Sequence, residues 1–255
     1  MIPKFLNKFE TELKKYKREF VKINAKSLNI SAFEDQLDIK TSKFLGFPFY
    51  PKSKIYPTDK NGKPMLMAAQ INFEEIPQLL NFPENGILQL FLSGANWYEE
   101  ESKIVYHTKS ETESEFLEDF SFINQEDYEY MPILFVHELS FEMSIENAGL
   151  TDNQFKFQFG DQDWYEFIDQ LSENEQSEFY DYFDASGHKL GGYAEFTQDD
   201  PRDYGTRNED DIQLIQIDSD ENIIFGDVGI GHVFISIESL KTKNFERAYF
   251  TWDCQ

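Results

Sequence analysis

The 255-residue chain has one cysteine, no long apolar run and few basic residues. Its cysteine, Cys254, has no second cysteine to pair with, so the disulfide framework of a small secreted domain is excluded. The N-terminal stretch carries a charge every few positions, which fits neither a signal peptide nor a transmembrane helix. These absences predict a cytoplasmic protein that does not cross a membrane.

The shortage of basic residues also limits the partners. Lys and Arg number 23 against 48 Asp and Glu, which gives a formal net charge of −25. Phosphate contacts require clustered cations, so this balance excludes a general nucleic-acid binder and disfavours docking on anionic lipid. Hydrophobic residues make up 40% of the chain and aromatic residues 16%, more than a disordered acidic chain contains. The acidic charge therefore covers a folded body, and a basic protein is the partner that it favours.

The charge is distributed unevenly along the chain. Residues 1–30 contain eight Lys or Arg and three Glu, a net charge of +5, whereas residues 31–255 carry −30. In the first segment, apolar residues recur every three or four positions at Phe5, Phe9, Leu13, Tyr16 and Phe20. This spacing predicts a basic amphipathic helix over residues 1–30 that packs on an acidic body at residues 31–255. A membrane-surface or partner-binding helix is the alternative.

The rest of the chain predicts short strands joined by turns, with a few helices. Apolar runs with β character occur at Met65–Gln70, Ile87–Ser93, Ile104–His107, Ile133–His137, Ile212–Ile217 and His232–Ile237. Apolar spacing predicts a helix within residues 161–183, capped by Asp161 or Asp163. Residues 99–129 are the most acidic and least periodic part, and they predict an exposed hairpin and loop. Together these signals predict an α+β fold with a predominantly antiparallel sheet.

Two stretches of the chain echo one another. In each, a Leu-Gly pair is followed 24 or 25 residues later by Gln-Ile-Asn or Gln-Ile-Asp, and then by a strand that begins with Gly and ends with Ser. The first copy has Leu45-Gly46, Gln70–Asn72 and Gly86–Ser93, and the second has Leu190-Gly191, Gln216–Asp218 and Gly231–Ser236. The shared order predicts internally duplicated halves, at about residues 40–150 and 160–255, with the two Gln-bearing strands near the centre.

These motifs resemble those of the YwqG-like proteins, a bacterial family of unknown function. The resemblance rests on A-Q-I-N-F at 69–73, F-P-E-N-G-I-L-Q-L-F at 82–91, H-K-L-G-G-Y at 188–193 and F-G-D-V-G-I-G-H-V-F-I-S at 225–236, and it covers roughly residues 40–255. The family usually has Trp where this chain has Phe225, and Pro where it has Gly192-Tyr193. The resemblance implies a soluble mixed fold rich in antiparallel strands, and it implies no activity and no catalytic residues.

Polar residues on the echoed strands are the candidate ligand-binding group: Gln70, Asn72, Gln216 and Asp218, together with His188. A Gln within an apolar strand needs partners, because an unpaired buried amide costs about 1–3 kcal/mol. Gln70 and Gln216 therefore either bind backbone across a pseudo-twofold axis or line a pocket between the halves. His188 precedes glycines that permit close approach of a ligand, unless it lies at the C-terminal end of the predicted helix before it.

Asp218, Asp220 and Asp227 are the candidate metal ligands. The run D-S-D-E-N at 218–222 begins like an EF-hand loop, but position six is Ile223 instead of Gly and position twelve is Gly229 instead of Glu. A calcium site of another type and a simple polar turn are both left open. The histidines lack zinc-binding spacing, and the chain has no dinucleotide-binding, P-loop or G-x-S-x-G motif. No cofactor and no catalytic residue are predicted.

Two functions remain open. The acidic body without a catalytic motif favours a non-enzymatic interaction protein that binds a basic partner, for example an immunity-type protein that caps a cationic toxin. The alternative is a small-molecule or metal-binding domain, or an enzyme, with its site between the duplicated halves. For the first function, residues 99–129 are where we expect the partner surface.

Overall fold

The fold is built around one antiparallel sheet. The computed structural model describes residues 2–205 and 207–254. Met1, the first residue of the predicted N-terminal helix, and Gln255, the last residue of the predicted body, therefore lie outside it. Within these residues the sheet order is β10-β9-β8-β7-β1-β6-β2-β3-β4-β5, with every neighbouring pair antiparallel. The strands are β1 Arg18–Ser27, β2 Lys43–Phe44, β3 Leu66–Asn72, β4 Ile87–Leu92, β5 Ser102–His107, β6 His137–Glu146, β7 Lys189–Gly191, β8 Ile212–Ile217, β9 Ile230–Ile235 and β10 Tyr249–Asp253. The predicted antiparallel sheet with a few helices is confirmed.

Five predicted strands are confirmed as β3, β4, β5, β8 and β9, and the strand predicted at Ile133–His137 is wrong. Ile133 makes only an isolated bridge with Ile223, and β6 begins at His137, where the predicted strand ends. The reason is periodicity: apolar and polar residues alternate along His137–Glu146, which suits a strand with two different faces. The continuous apolar run before it instead buries Ile133 and Val136 in the core.

Short helices connect the strands. They are α1 Glu10–Leu13, α2 Lys109–Thr112, α3 Trp164–Ile168, α4 Glu173–Tyr182 and α5 Ile237–Lys241. Additional 3-10 turns occupy Lys4–Phe9, Lys14–Tyr16, Ala32–Glu34, Trp97–Glu99, Gln125–Tyr128, Pro201–Tyr204 and Phe245–Arg247. Asp163 caps α3 by accepting a hydrogen bond from the Glu166 amide, as predicted, but a capping box at Ser172 starts α4 as a separate helix. None of the helices that the structure describes has the length and apolar character needed to span a membrane.

The helix predicted over residues 1–30 is wrong beyond Tyr16. Helical turns run from Lys4 to Tyr16, and the chain then enters β1, which lies between β7 and β6 in the sheet. From Arg18 onward the sequence changes to a period of two, with Val21 and Ile23 buried between exposed neighbours. This alternation fits a strand with one face on the core, and it overrides the helical spacing that ended at Phe20.

The helical turns before β1 contact the second half of the chain. Leu6 and Leu13 are buried in an apolar cluster with Phe155, Phe159 and Phe179. The Phe9 ring also packs edge-on against Phe159, with 5.3 Å between the ring centroids. Of the two buried residues, Leu13 belongs to the predicted apolar stripe and Leu6 does not.

The sheet curls until its two edge strands, β5 and β10, approach each other. Apolar side chains from both halves fill the interior: Val21 and Leu139 from the central strands, Ile71 and Leu88 from one half, and Ile215 and Val233 from the other. The strands that carry Gln70 and Gln216 are third from each edge, so their predicted central position is wrong. β1 and β6 occupy the centre because these two strands, ten residues each, pair along their whole length.

Candidate functional site

Gln70 lies on β3 and is fully buried. Its amide nitrogen donates to the carbonyl oxygens of Ile39 and Thr41 at 2.9 and 2.8 Å. Its amide oxygen accepts hydrogen bonds from the Phe49 amide at 2.9 Å and the Gln89 side chain at 2.7 Å. All four hydrogen-bonding positions of the side chain are therefore occupied by protein groups.

Gln216 on β8 makes the same set of contacts in the second half. It donates to the carbonyls of Ala185 and Gly187 at 3.0 and 2.9 Å, and it accepts from the Glu195 amide at 3.0 Å and the Gln213 side chain at 3.2 Å. Each glutamine binds backbone of its own half, not backbone across a twofold axis. The structure separates the two strands by β2, β6, β1 and β7 and gives the two glutamines no common hydrogen-bond partner.

Asn72 ends β3 and shapes the following turn. Its side-chain nitrogen donates to the Lys40 carbonyl at 3.3 Å, and its oxygen accepts from the Glu74 amide at 3.1 Å. Asn72 thus continues the backbone-binding role of Gln70 at the end of the same strand. A ligand-binding role for the two glutamines and Asn72 stays a prediction.

His188, Asp218 and Asp220 do lie together. The His188 Nδ1 atom accepts a hydrogen bond from the Asp218 amide at 2.9 Å, and its Nε2 atom lies 3.4 Å from Asp220 Oδ2. This contact with His188 lowers the pKa of Asp220 to about 2. The alternative position of His188 at a helix C-terminus is wrong, because α4 ends at Tyr182 and His188 directly precedes β7.

His137 is a member of this neighbourhood that the sequence did not identify. It is buried, its ring lies near Phe44, which also contacts His188, and burial lowers its pKa. Its Nδ1 atom contacts the Phe135 carbonyl at 2.8 Å, whereas its Nε2 atom has no hydrogen-bond partner within the described part of the chain. The pairing of β2 with β6 places His137 opposite Phe44, which contacts His188 as well, and no sequence spacing indicates this arrangement.

The three candidate metal ligands are engaged in other ways or lie apart. Asp218 accepts hydrogen bonds from the amides of Ser219 and Gly187, and Asp220 accepts them from the amides of Asn222 and Ile223. Asp227 lies in the turn between Phe225 and Gly229. In residues 2–205 and 207–254, no three His, Cys, Asp or Glu side chains form a group able to hold a metal. These hydrogen bonds shape a polar turn at 218–222, and a metal-binding role for Asp218, Asp220 and Asp227 stays a prediction.

Three buried cations are paired with carboxylates, a feature that sequence reasoning missed. Lys43 lies 2.6 Å from Asp35, and Lys189 lies 2.8 Å from Glu146. Arg202 lies 2.6 Å from Asp200 and also contacts Asp152. Because these cations and their carboxylate partners are all buried, the pairs remove charge of both signs from the surface.

An open groove of about 480 Å³, here called the acidic groove, lies between residues 31–34 and 125–134. Its floor is apolar, formed by Phe33, Leu45, Tyr128, Ile133 and Leu134, and its rim carries Glu126 and Glu129. Phe33 is 39% exposed and Leu134 is 48% exposed. Both side chains therefore expose apolar surface to solvent.

Local structure explains why the groove stays open. Ser31 and Glu34 form a capping box that starts the 3-10 turn Ala32–Glu34 and holds Phe33 outward. The Phe33 ring packs edge-on against Tyr128, with 5.7 Å between the centroids. The opposite wall is fixed where the Leu134 amide donates to the Asn222 carbonyl at 2.9 Å.

The Tyr128 hydroxyl is buried under the groove. It has no hydrogen-bond partner among the residues that the structure describes, and burial raises its pKa. A second hollow, lined by Asp59, Lys63, Asp127 and Tyr130, shares Glu126 and Glu129 with the acidic groove. Glu126 and Glu129 thus line both hollows and Asp127 lines the second, and all three belong to the acidic segment 99–129 predicted as the partner surface.

The comparisons with known proteins give a family and no activity. The model of a domain of unknown function, DUF1963, matches residues 42–254. No curated protein matches the chain. The matched range begins one residue before β2 and includes β2 to β10, whereas β1 and the N-terminal turns lie before it.

Proposed function

The chain belongs to the DUF1963 family of domains of unknown function, and from that premise we propose that it is a non-enzymatic interaction module that binds a basic partner protein. The observation that carries the proposal is the acidic groove, where the exposed apolar side chains of Phe33 and Leu134 share a lining with Glu126 and Glu129. An apolar surface bordered by charge is the usual arrangement of a protein interface.

The groove indicates what the partner must present. An apolar side chain on Phe33 and Leu134 would supply most of the free energy, because it removes apolar area from water. Lys or Arg beside it would pair with Glu126 and Glu129. Exposed pairs of this kind contribute about 0.2–1 kcal/mol each and are weakened by salt, so they chiefly set specificity and association rate.

The net charge supports the same partner. Lys43, Lys189 and Arg202 are buried together with their carboxylate partners, so these ion pairs leave the excess of 48 acidic over 23 basic residues almost unchanged at the surface. A negative surface attracts a basic protein over distances comparable to the Debye length, about 8 Å at physiological salt. We propose a cytoplasmic setting, and an immunity-type protein that covers a cationic toxin is one form of this function.

We also propose that the fold arose by internal duplication and that the YwqG-like resemblance and bacterial origin hold. The sheet order supports duplication, since β2-β3-β4-β5 flank one side of the β1/β6 pair and β7-β8-β9-β10 flank the other. Lys43 pairs with Gln70 in the register of one half, and Lys189 pairs with Gln216 in that of the other. Both lysines are buried against a carboxylate.

Peptide selection tests the interaction module. Peptides selected from a random library against the full chain should combine Lys or Arg with Leu or aromatic residues, and their affinity should fall as salt increases. The double variant Glu126→Gln/Glu129→Gln should weaken the best peptide by about five- to tenfold, measured by fluorescence polarisation.

A charge-matched control separates the groove from general acidity. Glu173→Gln/Glu178→Gln removes the same charge from exposed positions on α4, and it should change the affinity less than about twofold. Equal losses in both double variants would contradict a role for the groove. Selection of neutral apolar peptides alone would contradict a basic partner.

A further inference from the structure

A second cleft, here called the Arg18 cleft, lies at the beginning of β1 and is lined by residues from both halves of the chain. It has a volume of about 320 Å³, and its lining includes Arg18, Glu19, Leu79, Leu80, Gly192 and Ile212. We propose that this cleft binds a small carboxylate with an aliphatic body and that the Arg18 guanidinium holds the carboxylate. The proposal is independent of the basic partner, since this cleft and the acidic groove share no lining residue.

Among the residues that the structure describes, Arg18 has no ion-pair partner, although the chain is strongly acidic. Its cross-strand neighbour in the β1/β6 register is Glu146. The Glu146 carboxylate is already engaged, because Lys189 lies 2.8 Å away and the Tyr193 amide donates to its other oxygen. Across residues 2–205 and 207–254, Arg18 makes no ion pair and no side-chain hydrogen bond.

Stacking on Tyr193 orients the Arg18 side chain. The guanidinium carbon lies 3.8 Å from the centroid of the Tyr193 ring. That ring is held in place, since Tyr193 is buried and its hydroxyl donates to the Tyr16 carbonyl at 2.8 Å. A stacked guanidinium uses its face and keeps the N–H groups in its plane free, which is the geometry that binds a carboxylate through two hydrogen bonds.

The walls of the cleft favour an aliphatic body on the ligand. Leu79, Leu80 and Ile212 are apolar, and Leu80 is 78% exposed. Gly192 adopts a φ of +73°, and a Cβ atom there would collide with Glu146 Oε1, so this part of the lining requires a glycine. The cleft volume lies at the lower end of the range for small-molecule sites, about 300–1,000 Å³.

Glu19 allows a prediction about the direction in which the affinity for a carboxylate changes. It lines the same cleft, and it follows Arg18 on β1. Its carboxylate repels an anionic ligand, so Glu19→Gln should leave the affinity for a carboxylate unchanged or raise it. A loss of affinity in this variant would contradict recognition of an anion.

Octanoate is the probe, with 1-octanol as the neutral compound of the same chain length. Titration of the full chain, followed by the NMR signals of the Gly191 and Gly192 amides, should show saturable shifts with octanoate and weaker ones with octanol. Arg18→Gln should reduce the octanoate affinity about tenfold or more, since a hydrogen bond to a charged group is lost. Arg18→Lys should give an intermediate loss, because it keeps the charge without the planar pair of donors.

Lys26→Gln is the matched control, because it removes one positive charge from the other end of β1. Its octanoate affinity should stay within about twofold of the parent chain. Circular dichroism and thermal melting show whether each variant remains folded, and Arg18→Lys keeps the test valid if Arg18→Gln unfolds. Absence of saturable shifts, equal binding of octanol, or equal loss in Lys26→Gln would overturn the proposal.

Discussion

Replacing Gln70 with Leu should destabilise the protein strongly without changing its fold class. The substitution keeps a similar volume but removes both the donors and the acceptor of the amide. It leaves the carbonyls of Ile39 and Thr41, the Phe49 amide and the Gln89 side chain without this partner. Each buried polar group that loses its hydrogen bond costs about 1–3 kcal/mol. The Phe49 amide and the Gln89 side chain are buried and the two carbonyls are half-buried, so the four together give a loss of about 4 kcal/mol.

A loss of this size is easily measured, because domains typically unfold with about 5–15 kcal/mol. Urea unfolding at neutral pH, followed by tryptophan fluorescence, should show a much lower midpoint with an unchanged slope for Gln70→Leu. Gln170→Leu is the control, since Gln170 is exposed and donates only to the Glu166 carbonyl. It should change the free energy of unfolding by no more than about 0.5 kcal/mol.

Gln216→Leu tests whether the two halves are energetically equivalent. Gln216 also donates to two carbonyls and accepts from one backbone amide and one glutamine side chain. We therefore expect its loss to match that of Gln70→Leu within about 1 kcal/mol. A loss below about 1 kcal/mol in either variant would refute the reasoning that these amides hold backbone together.

Two further results are expected. Leu13→Ala should reduce the free energy of unfolding by about 2–5 kcal/mol in urea titrations, because Leu13 is buried in the cluster with α3 and α4, and a loss below 1 kcal/mol would contradict that packing. Burial lowers the pKa of His107 to about 4 from an ordinary value of 6.5, so its stabilising effect is complete above pH 6.5 and disappears as the pH falls to 4. This loss amounts to about 3 kcal/mol, and His107→Gln should remove it from the pH profile of unfolding, whereas an unchanged profile would refute it.

Local patterns predicted much of the sheet because strand periodicity is a property of neighbouring residues. β8 was predicted at its observed bounds, and β3, β4, β5 and β9 within a few residues. β1 was not predicted, because the helical spacing of apolar residues continues to Phe20. The strand already begins at Arg18, and its alternation is visible only from the buried residues Val21 and Ile23. β2 and β7, with two and three residues, are too short to show a period.

The candidate site was predicted less well, because it depends on residues that are distant in sequence. Asp220 and His188 were both named and do meet, but His137 joins them through Phe44, its partner in the pairing of β2 with β6. The echoed glutamines were recognised, yet their strands lie apart and each binds its own half. The apolar floor of the acidic groove was not predicted, since it joins the turn at Phe33 to Leu134 across a hundred intervening positions.

By itself the sequence determined the acidic surface, the antiparallel strands and the two glutamines that need buried partners. Charge and the cost of desolvation are properties of each residue, and strand periodicity is a property of neighbouring residues. Only the tertiary structure decided which charges are paired. Lys189 on β7 pairs with Glu146 on β6, the residue opposite Arg18, and among the described residues this leaves Arg18 stacked on Tyr193 without a carboxylate partner. Pairing of this kind depends on strand order and register, which couple residues more than a hundred positions apart and leave no periodic trace in the sequence.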